Sequence, residues 1–326
     1  MASGSVIVRE IMRHNRTLLA ACSVAILGAC SSEPTTQPTL PGFEALQNTG
    51  NQAVAEPAAA NNSSAIINGE LSTNQIISEC DRQIYSWGQA MSRSRSEDNQ
   101  QIVSIAANAI GLFVTRYRDE IENQAISGEP RFQGIASAAL GFSGDESVLP
   151  ILLNNLGSAE PVVCSKTLLA LGVMSSPNTA MAPIADALTM HSDNSEVVSN
   201  AAFCLFQLGF TDYQDENGVM SGILLSLVNN VDASVRSQAL LTLGLIEANH
   251  CLGDITNSLS GDPSPDVRVA AAWSLGRIGA KSSTSALVSA LEDPDTLTAG
   301  AARAALTRIH GRDLGPDPES WLPSQD

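Results

Sequence analysis

The sequence predicts an all-α protein, an α-solenoid of about six two-helix repeats with a helical cap at its N-terminus. Three observations lead to this prediction. Apolar residues recur at spacings of three and four, a block of similar residues returns every 31 to 38 positions, and 44% of the residues are hydrophobic although only 4% are aromatic. Aliphatic and small side chains at helical spacing favour closely packed helices over an aromatic-rich β-sheet.

The charge balance and the cysteine content exclude two classes of protein. The chain carries 34 acidic and 17 basic residues, a formal net charge of −17 at pH 7. A nucleic-acid partner is not expected, because the phosphate backbone requires a basic protein face. Six cysteines among 326 residues are too few for a disulfide framework. Cys164 and Cys204 also occupy different heights on their predicted helices, which favours buried free thiols over a disulfide.

The first 29 residues resemble a bacterial export signal. A basic segment between positions 9 and 16 precedes an apolar run over residues 17–29. This run is shorter than the about 20 residues that a membrane-spanning helix needs, and it has the length of a signal-peptide core. Met1 and Met12 both remain possible starts, because a complete basic segment follows either of them.

The apolar run ends in Leu27-Gly28-Ala29-Cys30, which resembles the lipobox of bacterial lipoproteins. The resemblance implies cleavage before Cys30, which would then carry diacylglycerol and an N-acyl chain such as palmitate. Two or more acyl chains suffice for stable anchoring. Ser31 resembles the signal that sorts such proteins to the outer membrane. The expected location is therefore the bacterial cell envelope, lipid-anchored and facing the periplasm; an ordinary signal peptide cleaved nearby or a short uncleaved anchor is the alternative.

Residues 30–72 are predicted to be the acylated cysteine and a disordered linker rich in Thr, Pro, Asn and Ala. Four prolines interrupt any helix, and no apolar period runs through the segment. A flexible chain of this length spans about 35 Å on average, so the folded part would stand off the membrane.

Residues 73–129 are predicted to form the N-terminal helical cap and the first helix of the first repeat. Two helical stripes of apolar residues support this prediction. The first stripe consists of Ile76, Ile77, Cys80, Ile84, Trp87 and Met91. The second consists of Ile102, Ile105 or Ala106, Ala109, Phe113, Tyr117 and Ile121. Both stripes are expected to face a core.

Residues 130–311 contain the repeats. Each repeat ends in a helix with a small residue at the fifth position of a recurring block. In five copies the block begins with an apolar residue and closes with an apolar residue and glycine, and the last copy is degenerate. The first positions of these blocks are Phe132, Val163, Val197, Val235, Val267 and Thr298. A shorter apolar helix precedes each one. The small residue is expected to allow close helix packing, and the glycine is expected to be a C-terminal cap with positive φ.

The repeats resemble the HEAT family, specifically the short bacterial repeats also found in phycobilisome lyases. The residues that carry the resemblance are Leu291-Glu-Asp-Pro-Asp295, Asp262-Pro-Ser-Pro-Asp-Val-Arg268 and Ala272-Trp-Ser-Leu-Gly-Arg-Ile-Gly279. Residues 312–326 complete a tail that resembles the one closing bacterial HEAT arrays, in which Leu314 and Trp321 would cover the last apolar seam. The family contains scaffolds, adaptors and a few enzymes, so the resemblance implies a fold more strongly than an activity.

Two clusters are candidate binding sites. Arg236 and Arg268 share the second position of successive helices, and Asp232 and Asp266 stand shortly before them. Such residues resemble the inter-repeat Asp–Arg ladder of HEAT arrays; a clamp for an anionic ligand in the groove is the alternative.

The second cluster is the acidic loop around Asp212, Tyr213, Asp215 and Glu216, which explains the longest repeat interval as an insertion. The loop lacks the acid spacing of an EF-hand. It is either a solvated acidic loop or a partner-binding loop, because insertions in repeats often lie on the binding face.

No catalytic residue, metal site or cofactor is predicted. The chain has only four histidines, none paired at metal-ligand spacing, and it has no nucleophile elbow, phosphate loop or dinucleotide fingerprint. The expected function is a membrane-anchored, non-catalytic scaffold or adaptor that binds an unidentified envelope protein. A small-molecule-binding or lyase-like enzyme using the concave groove is the alternative, and a structural spacer of the envelope is a third possibility. The oligomeric state is left open.

Overall fold

The structure, a computed structural model, describes residues 71–91 and 97–321. The predicted lipobox residues Leu27, Gly28 and Ala29, the acylation site Cys30 and nearly all of the predicted linker lie outside these residues. The sequence prediction for residues 1–70 is therefore carried forward as a prediction.

Fourteen α-helices form the described part of the chain, and no strand occurs there. They are α1 (Thr73–Met91), α2 (Glu97–Arg116), α3 (Arg118–Ser127), α4 (Pro130–Gly141), α5 (Leu149–Asn155), α6 (Pro161–Met174), α7 (Met181–Met190), α8 (Ser195–Leu208), α9 (Val219–Leu227), α10 (Ala233–Leu245), α11 (Leu252–Gly261), α12 (Pro265–Ile278), α13 (Thr284–Ser289) and α14 (Thr296–His310). Short 3-10 turns precede or follow several of them.

The chain divides into two compact units, and the boundary between Ile223 and Leu224 falls within α9. In the first unit, α1 packs against α2 and α4, α3 pairs with α4, and the longer helices stack in the order α4, α6, α8. In the second unit, α10, α12 and α14 stack in the same way, with α11 against α12 and α13 against α14. The predicted fold class, an all-α α-solenoid of two-helix repeats, is confirmed.

The helices begin where the sequence provides starting signals. The side chains of Asn194, Asp232 and Asp295 accept hydrogen bonds from backbone N–H groups in the first turns of α8, α10 and α14. Proline is the first residue of α4, α6 and α12, where its missing N–H costs nothing. These caps fix each long helix relative to the turn before it.

The small residue at the fifth position of each repeated block is the seventh residue of its helix and is fully buried. These residues are Ala136, Thr167, Ala201, Ala239, Ala271 and Ala302. A larger side chain has no space there, because interiors are close-packed. The recurring alanine is thus a packing residue in both units.

The recurring glycine has a different role from the predicted one. Gly172, Gly244 and Gly276 lie inside α6, α10 and α12, and none has positive φ. A Cβ on Gly276 would lie 2.7 Å from the Cα of Ala305, and one on Gly244 would lie 2.8 Å from the Cα of Ser274. These glycines therefore allow successive long helices to touch. The capping role with positive φ belongs to Gly279, which follows α12.

The second apolar stripe was predicted to face a core, and that prediction is wrong for its first half. Ile110 and Val114 are the buried residues of α2, whereas the side chains of Ile102 and Ile105 are 50% and 60% exposed. The apolar stripe also suggested one long helix over these residues. In the structure the helix is interrupted at Tyr117, which separates α2 from α3. The helical spacing was predicted correctly, but α2 buries Ile110 and Val114 on a different side of the helix.

The C-terminal tail folds back onto the end of the second unit. Trp321 is buried, its indole Nε1–H donates to the carbonyl of Gly315 at 2.9 Å, and its ring lies 5.9 Å from that of His310. Leu314 is half-buried. The predicted covering role of the tail thus rests mainly on Trp321.

Candidate functional site

Two nearly buried ion pairs connect consecutive turns of the second unit. The Nε and Nη2 atoms of Arg236, in the first turn of α10, lie 2.8 Å from the two carboxylate oxygens of Asp262. Its Nη1 donates to the carbonyls of Asn230 and Val231, in the turn before α10. Arg236 therefore joins its own turn to the turn that precedes α12.

Arg268 repeats this arrangement one repeat later. Its Nε and Nη2 donate to the carboxylate of Asp293 at 2.8 and 2.9 Å, and its Nη1 donates to the carbonyl of Asp262 at 2.9 Å. Asp262 thus accepts hydrogen bonds from Arg236 at its carboxylate and from Arg268 at its backbone carbonyl. Only 9 to 13% of the side-chain area of the four paired residues is exposed. We call Arg236, Asp262, Arg268 and Asp293 the ladder.

The ladder corrects the predicted acid partners. Asp232 is the N-terminal cap of α10 and accepts from the backbone N–H of Ser234 at 2.8 Å. Asp266 lies exposed in the first turn of α12. The predicted acids precede each arginine on its own repeat, whereas the actual partners stand in the turn of the next repeat. The signal that could have identified them was the Asp-Pro pair found at both Asp262 and Asp293.

The ionisation of the ladder follows from its contacts. Burial alone would raise the pKa of Asp262, but hydrogen bonds from Arg236 and from the N–H of Ser264 outweigh it and hold the pKa below its usual range. The hydrogen bond from Arg268 lowers the pKa of Asp293, against a smaller opposing effect of burial. Both carboxylates are charged at neutral pH and matched by a guanidinium.

The ladder geometry favours a structural role over a clamp for an anionic ligand. Each guanidinium uses its Nε, Nη1 and Nη2 atoms within the protein, and the carboxylate occupies the two-point position that an anion would take. An added anion would have to displace a negatively charged partner. The ladder therefore holds neighbouring turns in register.

The first unit links its turns through other residues, none of which was predicted from the sequence. Arg118, at the start of α3, donates to the carboxylate of Asp145 in the turn between α4 and α5 at 2.6 Å. Asn155 donates to the carbonyl of Ala125 at 2.8 Å and to the hydroxyl of Ser137 at 2.9 Å. The Nε2 atom of His191 lies 2.9 Å from the carbonyl oxygen of Ser158. Single polar residues with no repeated motif give no signal in the sequence, so only their positions in the fold reveal them.

The residues of the acidic loop differ in exposure and in role. Asp215 accepts hydrogen bonds from the backbone N–H groups of Met220 and Ser221, both at 2.9 Å, and so caps the start of α9. Tyr213 is half-buried, and burial, aided by the charge of Asp215, raises its pKa. Asp212 and Glu216 are exposed. Only the last two are placed to meet a partner.

Burial disfavours the thiolate form of three of the buried cysteines. Burial raises the pKa of Cys80 to about 12, of Cys164 to about 11 and of Cys204 to about 12. The neighbouring acids Glu79 and Asp81 add to the effect at Cys80. Because the thiolate is the nucleophile, these three residues are packing residues rather than catalytic ones. None of them forms a disulfide, in line with the sequence prediction.

The described residues contain neither a metal-binding cluster nor a membrane-spanning helix. Within 71–91 and 97–321, no three His, Cys, Asp or Glu residues lie together in a way that could hold a metal ion. No helix in the same part of the chain combines the length and the apolar character needed to cross a membrane.

Comparison with known proteins agrees with the repeat assignment. A sequence-family profile described as HEAT repeats matches residues 221–307. The matched segment contains α10, α11, α12 and α13 and all four ladder residues. The chain thus contains HEAT-like repeats, a class of helical scaffold. No curated protein matches the sequence.

Two solved structures show a distant similarity to this chain. One is human deoxyhypusine hydroxylase in complex with glycerol, at 15% identity and a TM-score of 0.33, covering 73% of this chain and 98% of that one. The other is the complex of CpcE and CpcF of phycocyanin lyase from Nostoc sp. PCC7120, at 14% identity and a TM-score of 0.35, covering 77% and 91%. Identities and scores this low transfer no activity to this chain.

These two structures nevertheless correct one expectation. The sequence analysis expected this chain not to be an enzyme, in part because its repeats suggest a scaffold. Both solved structures are named for enzymes, a hydroxylase and a lyase. A helical repeat array is therefore no ground for excluding catalysis, and the expectation is withdrawn.

Proposed function

We propose that this protein is a lipid-anchored interaction scaffold of the bacterial cell envelope, attached through Cys30 and facing the periplasm at the outer membrane. The observation that carries the proposal is the order of segments along the chain. A basic segment and an apolar run end at Leu27-Gly28-Ala29-Cys30, a proline-interrupted linker follows, and the first described helix, α1, begins at Thr73.

The stacked helices suit a scaffold because their turns are fixed. Ladder residues join consecutive turns in the second unit, and Asn155 and His191 do so in the first. Surface groups carried on such a framework keep their spacing, so that binding costs little ordering of the protein itself.

The acidic loop is the contact region that we assign to the partner. Asp212 and Glu216 are exposed and carry negative charge, while Asp215 holds the loop against α9. A partner with a basic surface fits this loop, because opposite charges steer encounter and fix orientation. An envelope protein is the expected partner.

Metabolic labelling tests the anchor. The full chain is produced in a bacterium supplied with labelled palmitate, as the wild type, as Cys30→Ala and as Cys22→Ala. Cys22 is the matched control, because it lies within the apolar run but outside the lipobox. Label in the wild type and Cys22→Ala but not in Cys30→Ala is expected. Equal labelling of Cys30→Ala would refute the anchor.

Crosslinking in intact cells followed by affinity purification tests the partner. The double variant Asp212→Asn/Glu216→Gln should recover much less of the partner than the wild type does. The control Asp186→Asn/Asp254→Asn removes the same charge from exposed positions on α7 and α11 and should recover as much as the wild type. Failure to recover any reproducible partner would contradict the scaffold proposal.

A further inference from the structure

Helix α2 carries an apolar stripe that faces solvent. The side chains of Ile102, Ile105 and Leu112 are 50%, 60% and 74% exposed, and Ala109 lies exposed between the last two. Spacings of three, four and three residues place all four on one side of the helix. Among the described residues, α2 packs on α1 and α4, and its buried residues Ile110 and Val114 lie on a different side, so that no described helix covers the stripe.

The surroundings of the stripe are unusual for so acidic a chain. No charged residue occurs from Asn99 to Thr115, which covers nearly the whole of α2. A chain with a net charge of −17 repels its own copies over most of its surface. The uncharged length of α2 is a region where that repulsion is weakest.

The stripe is complementary to itself when reversed. With two copies of α2 antiparallel and centred on Ala107, Ile102 of one faces Leu112 of the other, and Ile105 faces Ala109. At each end of the interface two large side chains meet, Ile102 and Leu112. Near the middle the large Ile105 meets the small Ala109, which permits close approach of the helices. The 3-4-3 spacing is that of an interhelical seam.

The direction of the helices favours the antiparallel arrangement. Antiparallel helices oppose their macrodipoles favourably, whereas a parallel pair would align them.

We propose that α2 is a self-association surface on which a second copy of this chain packs its own α2 antiparallel, around a two-fold axis midway between Ile105 and Ala109. Such an interface is isologous, so each contact occurs twice. A single helix pair buries less than the about 800 Å² per partner of a standard interface, so the dimer should be weak and should depend on concentration. This inference does not rest on the anchor or on the envelope partner.

Sedimentation velocity of the full chain over a concentration series tests the association. Cys22→Ser and Cys30→Ser are introduced throughout, to exclude acylation and stray disulfides. The parent should shift from monomer to dimer as concentration rises, and Ile105→Glu should weaken dimerisation at least tenfold. The matched control Val231→Glu places the same new charge at a 98% exposed apolar residue and should dimerise like the parent. A monomeric parent at every concentration would overturn the proposal.

Cysteine crosslinking tests the register. An Ile105→Cys chain is mixed with an Ala109→Cys chain of different mass, and mild oxidation should give the mixed disulfide preferentially. Ile105→Cys mixed with Leu112→Cys is the mismatched control. The antiparallel register is contradicted if the mismatched pair forms as readily, or if Ile105→Cys pairs faster with itself than with Ala109→Cys.

Discussion

Arg268 holds Asp293 by two parallel hydrogen bonds of 2.8 and 2.9 Å, and the third side of the same guanidinium donates to the carbonyl of Asp262. One side chain therefore connects three successive features: its own helix, the turn before that helix and the turn of the next repeat. Because the pair is nearly buried, its charges are weakly screened by solvent. Removal of the Asp293 carboxylate would therefore leave the Arg268 guanidinium without its anionic partner. The ladder thus makes specific predictions about stability.

Asp293→Asn should destabilise the protein. The amide oxygen can still accept from the N–H of Asp295, as the carboxylate does at 2.8 Å, so the change reports on the lost charge pair. An expected loss of about 2–3 kcal/mol in the free energy of unfolding lies between the values for exposed and fully buried pairs. Urea titration measures it. Asp313→Asn, which removes an exposed pair with Arg303, should leave the midpoint unchanged.

Acid should weaken the ladder in a defined pH range. The pKa of Asp262 and of Asp293 is lower in the folded state than in the unfolded chain, so their contribution is fully present above the unfolded pKa of about 4 and is lost as the pH falls through the folded pKa. Urea midpoints should be level from pH 7 to 5 and fall below about pH 4. Asp262→Asn/Asp293→Asn should flatten this fall; an unaltered pH profile would contradict the assignment.

Gly276→Ala should destabilise the second unit, although alanine is the better helix former. The new Cβ would lie 2.7 Å from the Cα and Cβ of Ala305, so α12 and α14 would have to separate. Overpacking of this kind costs about 1–3 kcal/mol. Gly253→Ala in α11 meets no atom within 4 Å and should stabilise by about 0.5 kcal/mol. The midpoint of thermal unfolding distinguishes the two variants. Equal shifts of this midpoint would show that α12 and α14 are not in close contact at Gly276.

Asp215→Ala should destabilise the start of α9. The variant loses the acceptor for the N–H groups of Met220 and Ser221, and loss of such a cap costs about 1 kcal/mol. Glu216→Ala, at the exposed neighbouring position, should leave stability unchanged. Hydrogen exchange of the Met220 and Ser221 amides provides a local readout. Faster exchange in Glu216→Ala than in Asp215→Ala would contradict the capping role.

Much of the fold was predictable because its signals are local. Apolar residues at spacings of three and four, prolines at helix starts and small residues at a repeated position specified the long helices and their buried sides. A helix forms from contacts within one turn of chain, so its pattern can be recognised without knowing its neighbours. Asn194 and Asp295 cap their helices through residues two or three positions away for the same reason.

The sites were less predictable because each depends on a neighbour distant in sequence. Asp262 was assigned to Arg236 only by the structure, since 26 positions separate them and Asp232 is closer along the chain. The burial of α2 was misjudged at Ile102 and Ile105 for a similar reason. A mostly apolar helix offers several possible buried sides, and its neighbours determine which one is used.

The sequence by itself determined that this protein is a helical repeat array, preceded by an export-like segment that predicts an acylated Cys30. Only the tertiary structure decided that Gly276 is a contact between helices rather than a cap, that the ladder runs through Asp262 and Asp293, and that Ile102 and Ile105 face outward. The physical reason is range: periodicity records the hydrogen bonding and side-chain direction of one helix, whereas pairing and burial depend on distances between helices, which no local pattern contains.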